Sequence, residues 1–245
     1  MKKYVFLLMF AAPLIFSACN KSEEFKTDAI SDFAPLVIGK YITYNLDSLI
    51  FASNSIPYDR VIKYQIKQEV MDVVKDNLGR SGFSIRRSIR KSGTDDWQAD
   101  NTFFAINTGT TYEYIENNLR YLKLTQPIKN SYSWKGNSYI DTYSANSNTK
   151  YLDSWDYTYD SLNTPLTLGS IKIPSSVKVL ERNDVLGDTT NRATYSEINF
   201  SVSNYGRGIG LVYYKFLHQE YQPPTPGTFG YKLGYGITLT MIDHN

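Results

Sequence analysis

The chain has 245 residues, of which 42% are hydrophobic, 20% charged and 15% aromatic, and its formal net charge is +2. This composition excludes a disordered polymer, a collagen-like fibre and a polytopic membrane protein, and it is sufficient for a globular core without metal or disulfide support. Tyrosine is the most abundant aromatic residue, with 21 copies, whereas cysteine occurs once and histidine twice.

The N-terminus has the pattern of an export signal. Lys2 and Lys3 precede an uncharged run over residues 5–16 that contains Pro13. At 1.5 Å per residue, such a helix would cover about 18 Å of a hydrocarbon core of about 30 Å. A secretory signal is therefore predicted rather than a transmembrane helix.

A short motif follows this run. The sequence Phe16-Ser17-Ala18-Cys19 resembles a bacterial lipobox. The resemblance implies that residues 1–18 are cleaved after Ala18, and that Cys19 carries a diacylglyceryl thioether as the new N-terminus. Two or more acyl chains anchor a protein stably to a membrane. The alternative is an ordinary signal peptide cleaved nearby, with no role for Cys19.

Residues 19–32 are predicted to be a lipidated, flexible tether. The stretch Asn20-Lys21-Ser22-Glu23-Glu24 resembles the tether that directs Bacteroidota lipoproteins to the outer leaflet of the outer membrane. It implies surface exposure, with the periplasmic face as the alternative location. The charges are also compatible with a solvated linker of no further meaning.

The mature chain is formally neutral. Lys2 and Lys3 belong to the signal, so 24 basic residues remain against 24 acidic ones. The composition therefore indicates no acidic partner, and no nucleic-acid partner is expected.

Beyond the tether the hydrophobic pattern has period two, which is typical of β-strands. Asn77-Leu78-Gly79 and Asn117-Asn118 are predicted hairpin turns, because Asn and Gly tolerate positive φ. No amphipathic helix of useful length is found. The predicted fold is all-β, with a single antiparallel sheet domain over residues 33–245, as a curved sheet, half-barrel or sandwich.

The segment from Phe83 to Ile89 shows the alternation clearly. Phe83, Ile85 and Ile89 share one face, and Arg87 lies on that same face. A charge on an apolar face is costly unless it is paired. Arg87 is therefore predicted to have a carboxylate partner or to lie near the rim.

Two longer segments resemble those of small Bacteroidota outer-membrane lipoproteins. Residues 33–41 (FAPLVIGKY) resemble an opening of the form PLxxGxxW/Y, although only Lys40 separates Gly39 from Tyr41, and residues 206–214 (GRGIGLVYY) match a late strand of the form GxGLVY. The resemblance implies one β-rich domain in the cell envelope and implies no activity.

The chain has few residues for catalysis. Cys19 loses its thiol on lipidation, the histidines at 218 and 244 are far apart, and no Gly-x-Ser-x-Gly motif occurs. His218 is predicted to be a packed or rim residue. The glycines from Gly206 to Gly210 precede a strand rather than a helix, which indicates a turn and not a nucleotide loop. No catalytic residue, metal site or cofactor is predicted.

One aromatic segment is a candidate glycan-binding face. In an extended segment the side chains of Tyr151, Trp155, Tyr157 and Tyr159 share one side, and acidic residues lie on the other. Such rings stack on sugars. The alternative is that they pack in the core of a Tyr-rich β-domain.

Three short motifs resemble the Asp-(Ser/Thr)-hydrophobic/Thr acceptor for O-glycosylation in Bacteroidota. They place candidate acceptors at Ser48, Ser161 and Thr189.

The sequence thus predicts a non-enzymatic, lipid-anchored binding or structural protein of the cell envelope. Its predicted partners are the membrane, through Cys19, and an envelope protein or glycan. The alternative is a glycan-binding or carbohydrate-active component of a nutrient-uptake system.

We predict that Cys19→Ala abolishes metabolic labelling of the protein with an alkynyl fatty acid, because the acylated sulfur is lost. In-gel detection of the label checks this, with Ser22→Ala as the matched control that keeps it. Label that persists in Cys19→Ala contradicts the predicted anchor.

Overall fold

A computed structural model describes residues 27–52 and 58–245. The predicted cleavage and lipidation residues, Ala18 and Cys19, lie outside the described residues. Within these two ranges the chain forms a four-residue helix, a short 3-10 helix and twelve strands. No helix in the described ranges is long and apolar enough to cross a membrane. The elements are α1 (Ile30–Phe33), the 3-10 helix (Lys150–Leu152), β1 (Tyr41–Ile50), β2 (Arg60–Lys75), β3 (Ser81–Arg90), β4 (Gln98–Asn107), β5 (Thr111–Glu116), β6 (Leu119–Thr125), β7 (Ser133–Lys135), β8 (Asp156–Leu168), β9 (Ile171–Leu186), β10 (Ser196–Gly206), β11 (Gly210–Gln222) and β12 (Tyr231–His244).

The twelve strands form one antiparallel sheet in the order β6-β5-β4-β3-β2-β1-β12-β11-β10-β9-β8-β7. Each pair of adjacent strands in the sheet is also consecutive in the sequence, except for the pair of β1 and β12. Two six-stranded meanders are therefore joined by the pairing of the first and last strands. The predicted fold, all-β with a single antiparallel sheet, is confirmed, and the sheet curls into a nearly closed barrel.

The predicted turns occur where the sequence places them. Asn117 and Asn118 join β5 to β6 with φ of 51° and 64°, and Gly79 has φ of 75° in the turn between β2 and β3. Gly206 pairs with Gly210 at the hairpin between β10 and β11. The glycine-rich motif is thus a strand turn, as predicted.

The two edge strands of the sheet, β6 and β7, meet and close the barrel along a seam. The Leu122 amide donates to the carbonyl of Gly136 at 2.8 Å, and the Trp134 indole N–H donates to the carbonyl of Leu122 at 2.7 Å. The Tyr159 hydroxyl donates to the carbonyl of Thr125 at 2.8 Å. These bonds pair backbone N–H and C=O groups that the edge strands of an open sheet would leave without partners.

Alternate residues of the strands point into the barrel and form its core. Tyr44 of β1, Ile66 of β2, Val179 of β9 and Met241 of β12 are all buried. Lys63, on the opposite face of β2, is exposed.

One end of the barrel, which we call the plugged end, is closed by α1 and the adjoining turn at residues 207–209. Ile30 and Phe33 of α1 are buried. Arg207 pairs with Asp28 at 2.7 Å and with Asp32 at 3.1 Å. Asp28 and Asp32, which the sequence assigns to the tether, are thus bound to the barrel.

The opposite end, the open end, carries the Asn117–Asn118 turn and the long segment 136–155. Strands β1, β5 and β11 run towards it, and β12 runs away from it, as the antiparallel pairing requires.

We predict that Trp134→Ala lowers the free energy of unfolding by about 3–5 kcal/mol, as for other buried aromatic truncations. The indole bridges the seam and packs on Tyr159 at a ring-centroid distance of 4.7 Å. Urea denaturation checks this, with Tyr143→Ala, at a side chain 82% exposed, as the control. A loss equal to that of the control contradicts the role of the seam.

Candidate functional site

The barrel encloses a cavity of about 480 Å³. Ligand pockets for small molecules typically have volumes of about 300–1,000 Å³ and apolar walls with a few polar groups. Ten of the 21 tyrosines line this cavity, together with Trp155 and Phe216. The tyrosine excess in the composition is therefore concentrated on the inner face of the sheet.

The cavity reaches solvent at the open end. Among the lining residues that the structure describes, Asn117 and Tyr235 are exposed, and both lie at that end. The hydroxyl groups of Tyr151 and Tyr235 lie 3.3 Å apart at the rim. At the plugged end, Ala34, which directly follows α1, forms part of the cavity wall and is buried.

An ion pair lies inside the cavity. The ammonium of Lys123, on β6, is 3.0 Å and 3.1 Å from the two carboxylate oxygens of Glu181, on β9. Ser201 and Ser203 of β10 donate to the same carboxylate at 2.7 Å and 2.6 Å. Glu181 is 1% exposed. The charge on a buried carboxylate is tolerated here because it is paired and fully hydrogen-bonded.

Three aromatic rings surround the ammonium group. Lys123 Nζ lies 4.9 Å from the ring centroid of Tyr121 and 5.3 Å from those of Tyr157 and Tyr214. These distances are within the range of cation–π attraction. The cation is thus held in an aromatic cage built from β6, β8 and β11.

A second charged group lies nearer the open end. Arg87 is 3.5 Å from Glu116 and forms a hydrogen bond with Asp100. The predicted carboxylate partner of Arg87 is therefore confirmed. Burial raises the pKa of Glu116, against the opposing effect of Arg87.

The tyrosine hydroxyls of the wall remain protonated. Burial raises the pKa values of Tyr112, Tyr114, Tyr157 and Tyr214 well above the ordinary value of 10.0. Each neutral hydroxyl keeps its proton and can act as a hydrogen-bond donor. The Tyr157 hydroxyl donates to the side chain of Asn137 at 2.9 Å.

The four predicted glycan-binding residues do not form an exposed surface. Trp155, Tyr157 and Tyr159 are buried, at 2%, 1% and 0% exposure, and Tyr151 is half-buried. These rings therefore form no external aromatic groove, because the 3-10 helix and the stretch from Trp155 into β8 direct them inward. Tyr151, Trp155 and Tyr157 instead line the cavity.

The candidate glycosylation residues differ in access. Ser48 lies in β1 and lines the cavity, so the folded barrel shields it from an enzyme outside. Ser161 is half-buried in β8, whereas Thr189 is exposed in the turn between β9 and β10. Glycosylation stays a prediction, and Thr189 is the residue best placed for it.

His218 is a packed residue, as predicted. Its ring stacks on Tyr151 at a centroid distance of 4.0 Å, and its Nδ1 lies 2.8 Å from the Asn199 side-chain oxygen. Burial lowers the pKa of His218. Within the described ranges, no group of three or more His, Cys, Asp or Glu side chains is placed to hold a metal ion.

Sequence reasoning missed Lys123 and Glu181. The signal that identified Arg87 also applies to them, because Glu181 follows Val177 and Val179 on one face, and Lys123 follows Tyr121. Charged residues on two apolar faces indicate a buried pair.

Comparisons with protein-family models, with curated proteins and with solved structures found no match to this chain.

We predict that Lys123→Met lowers the free energy of unfolding by about 3–5 kcal/mol, because it leaves the carboxylate of Glu181 buried and unpaired. The double variant Lys123→Met/Glu181→Gln should recover most of this loss, since one of the two serine hydroxyls can still donate to the amide oxygen and the other can accept from the amide NH2.

Urea denaturation of the parent, of Lys123→Met and of the double variant measures these changes in the free energy of unfolding. The control is Lys135→Met, which breaks the exposed Lys135–Asp156 pair and should change the midpoint little. A single variant that is as stable as this control would contradict the buried pairing.

Proposed function

We propose that the protein is a lipid-anchored, non-enzymatic binding protein of the cell envelope, and that it holds a small organic ligand inside its barrel. One observation carries the proposal: a cavity of about 480 Å³, with walls rich in tyrosine, that opens at one end of the barrel. The two acids of the cavity wall are both paired, Glu181 with Lys123 and Glu116 with Arg87, which favours ligand binding over bond cleavage.

The position of the N-terminal segment supports an orientation for this protein. Thr27 donates to Gln126, at the start of the connection between β6 and β7, and Asp28 binds Arg207, so the chain enters the barrel at the plugged end. Eight residue steps separate Cys19 from Thr27, and an extended chain covers at most about 3.6 Å per step. An anchor at Cys19 would therefore keep the plugged end close to the membrane and direct the open end away from it.

The alternative is a glycan ligand within a nutrient-uptake system. It is supported by Tyr151, Trp155 and Tyr157, whose rings line the cavity and are of the kind that stacks on sugars. The ligand would then enter the barrel rather than bind to its surface. Competition by a neutral disaccharide for the bound probe described below would support it.

We predict that Ser48→Trp weakens the binding of 1-pyrenemethanol by at least about tenfold, which corresponds to about 1.4 kcal/mol. Ser48 lines the cavity near the open end, so a bulky indole there occupies ligand space. The measurement is a fluorescence titration of the mature chain, residues 19–245, with Cys19→Ser to avoid lipid and detergent.

The matched control is Asn45→Trp, at an exposed position on the outer face of the same strand. It should bind the probe as the parent does. Equal weakening in both variants, or none in either, would place the probe outside the barrel and contradict the proposal.

A further inference from the structure

In the ion pair inside the cavity, the carboxylate of Glu181 has all its hydrogen-bond partners among the described residues, whereas the ammonium of Lys123 does not. The two oxygens of Glu181 receive four contacts, two from Lys123 and one each from Ser201 and Ser203. A carboxylate has about four acceptor positions, so Glu181 has no capacity left for a ligand.

Lys123 keeps a free donor. An ammonium group has three N–H bonds, and the described part of the chain offers acceptors only on Glu181. The Lys123 side chain is 13% exposed, and the residue is part of the cavity wall. The remaining donor is therefore available to a molecule that enters the cavity.

Other polar groups of the wall are also donors. The hydroxyl of Tyr114 accepts from Gln68 at 3.5 Å and, being protonated, can donate in turn. Glu116 is the remaining acid of the wall, and Arg87 pairs with it. The guanidinium of Arg87, 3.5 Å away, offsets the charge of Glu116 and weakens its repulsion of an anion.

The remaining wall is suited to flat rings. Tyr121 and Tyr214 lie beside the ammonium, and Tyr151 and Tyr235 lie at the rim, so aromatic faces extend from the charge to the opening. Aromatic pairs add stabilisation beyond area burial when rings are offset or tilted.

Resting on the proposed function, we infer that the ligand is a ring-bearing organic oxyanion, such as an aromatic carboxylate. Its anionic group accepts from Lys123, and its rings lie between the tyrosines towards the open end. An oxyanion removed from water needs compensating hydrogen-bond donors, and charge-assisted bonds from a cation are about twice as strong as neutral ones.

The same geometry disfavours an organic cation. Lys123 already occupies the aromatic cage formed by Tyr121, Tyr157 and Tyr214, and Glu181 is already neutralised. A second cation would meet the ammonium of Lys123, whose side chain is 13% exposed, before the carboxylate of Glu181, which is 1% exposed, and would be repelled at close range.

Three probes with one ring system test the inference: 1-pyrenecarboxylate, 1-pyrenemethanol and 1-pyrenemethylammonium. The titration uses the same mature chain. We expect the carboxylate to bind at least about tenfold more tightly than the alcohol, equivalent to about 1.4 kcal/mol, and the ammonium to bind most weakly.

The double variant Lys123→Met/Glu181→Gln removes both charges while retaining the serine contacts, and it should bind carboxylate and alcohol with similar affinity. The double variant Lys135→Met/Asp156→Asn removes an exposed pair outside the cavity and should keep the preference of the parent. Near-UV circular dichroism of each variant verifies that the aromatic core is folded.

The outcomes separate the two proposals. Binding of the pyrene probes without preference for the carboxylate, or a preference that survives loss of Lys123 and Glu181, overturns the oxyanion inference and leaves the proposed function intact. Failure of all three probes to bind the parent overturns both.

Discussion

The pairing of β1 with β12 holds the two halves of the sheet together. Tyr44 lies opposite Met241 and Ile50 opposite Tyr235, so segments from the two ends of the domain run side by side along their whole length. The cost of closing a long loop grows slowly with its length, which allows such a distant contact to be stable. The inner face, the plug and the cavity all depend on this closure, because each meander alone is an open sheet.

Closure creates an interior that the tyrosine side chains do not fill. The phenol rings bury apolar area, and their hydroxyls need polar partners or water. Tyr44 meets this need by donating to the carbonyl of Leu211 at 2.7 Å, and Tyr157 does so through Asn137. The rings thus form an apolar wall whose hydroxyl groups are held in place by hydrogen bonds. A binding cavity has this arrangement, whereas a uniformly apolar core does not.

The buried ion pair fits the same interpretation. A pair such as Lys123–Glu181 is weak evidence for stability, because the cost of desolvating both charges offsets much of their attraction. Ser201 and Ser203 reduce that cost by hydrogen bonding to the carboxylate. The pair supplies a fixed ammonium group surrounded by aromatic rings. A ligand binds more tightly to a group that is already held in position, because less conformational freedom is lost on binding.

Local features of the fold were predictable from the sequence, and long-range ones were not. The turns at Gly79 and at Asn117–Asn118 follow from residues that tolerate positive φ, and alternation placed Arg87 on an apolar face. Alternation states which side chains share a face, but it does not state whether that face is inside or outside. For this reason the rings of Trp155 and Tyr157 were open to two interpretations until the closure of the sheet placed them within the barrel.

The same limit applied to the cavity. Lys123 and Glu181 lie on β6 and β9, which are far apart in the strand order and approach each other only because the edges of the sheet meet at the seam. No short motif records that distance. An acid and a base on separate apolar faces were visible in the sequence, but their partnership required the closed sheet.

The most direct test of the account is anomalous diffraction from crystals of the mature chain soaked with 6-bromo-2-naphthoate. The account predicts a bromine peak inside the barrel, with the carboxylate directed at Lys123 and the naphthalene between the tyrosine rings. A bromine peak found only on the outer face of the sheet would contradict it.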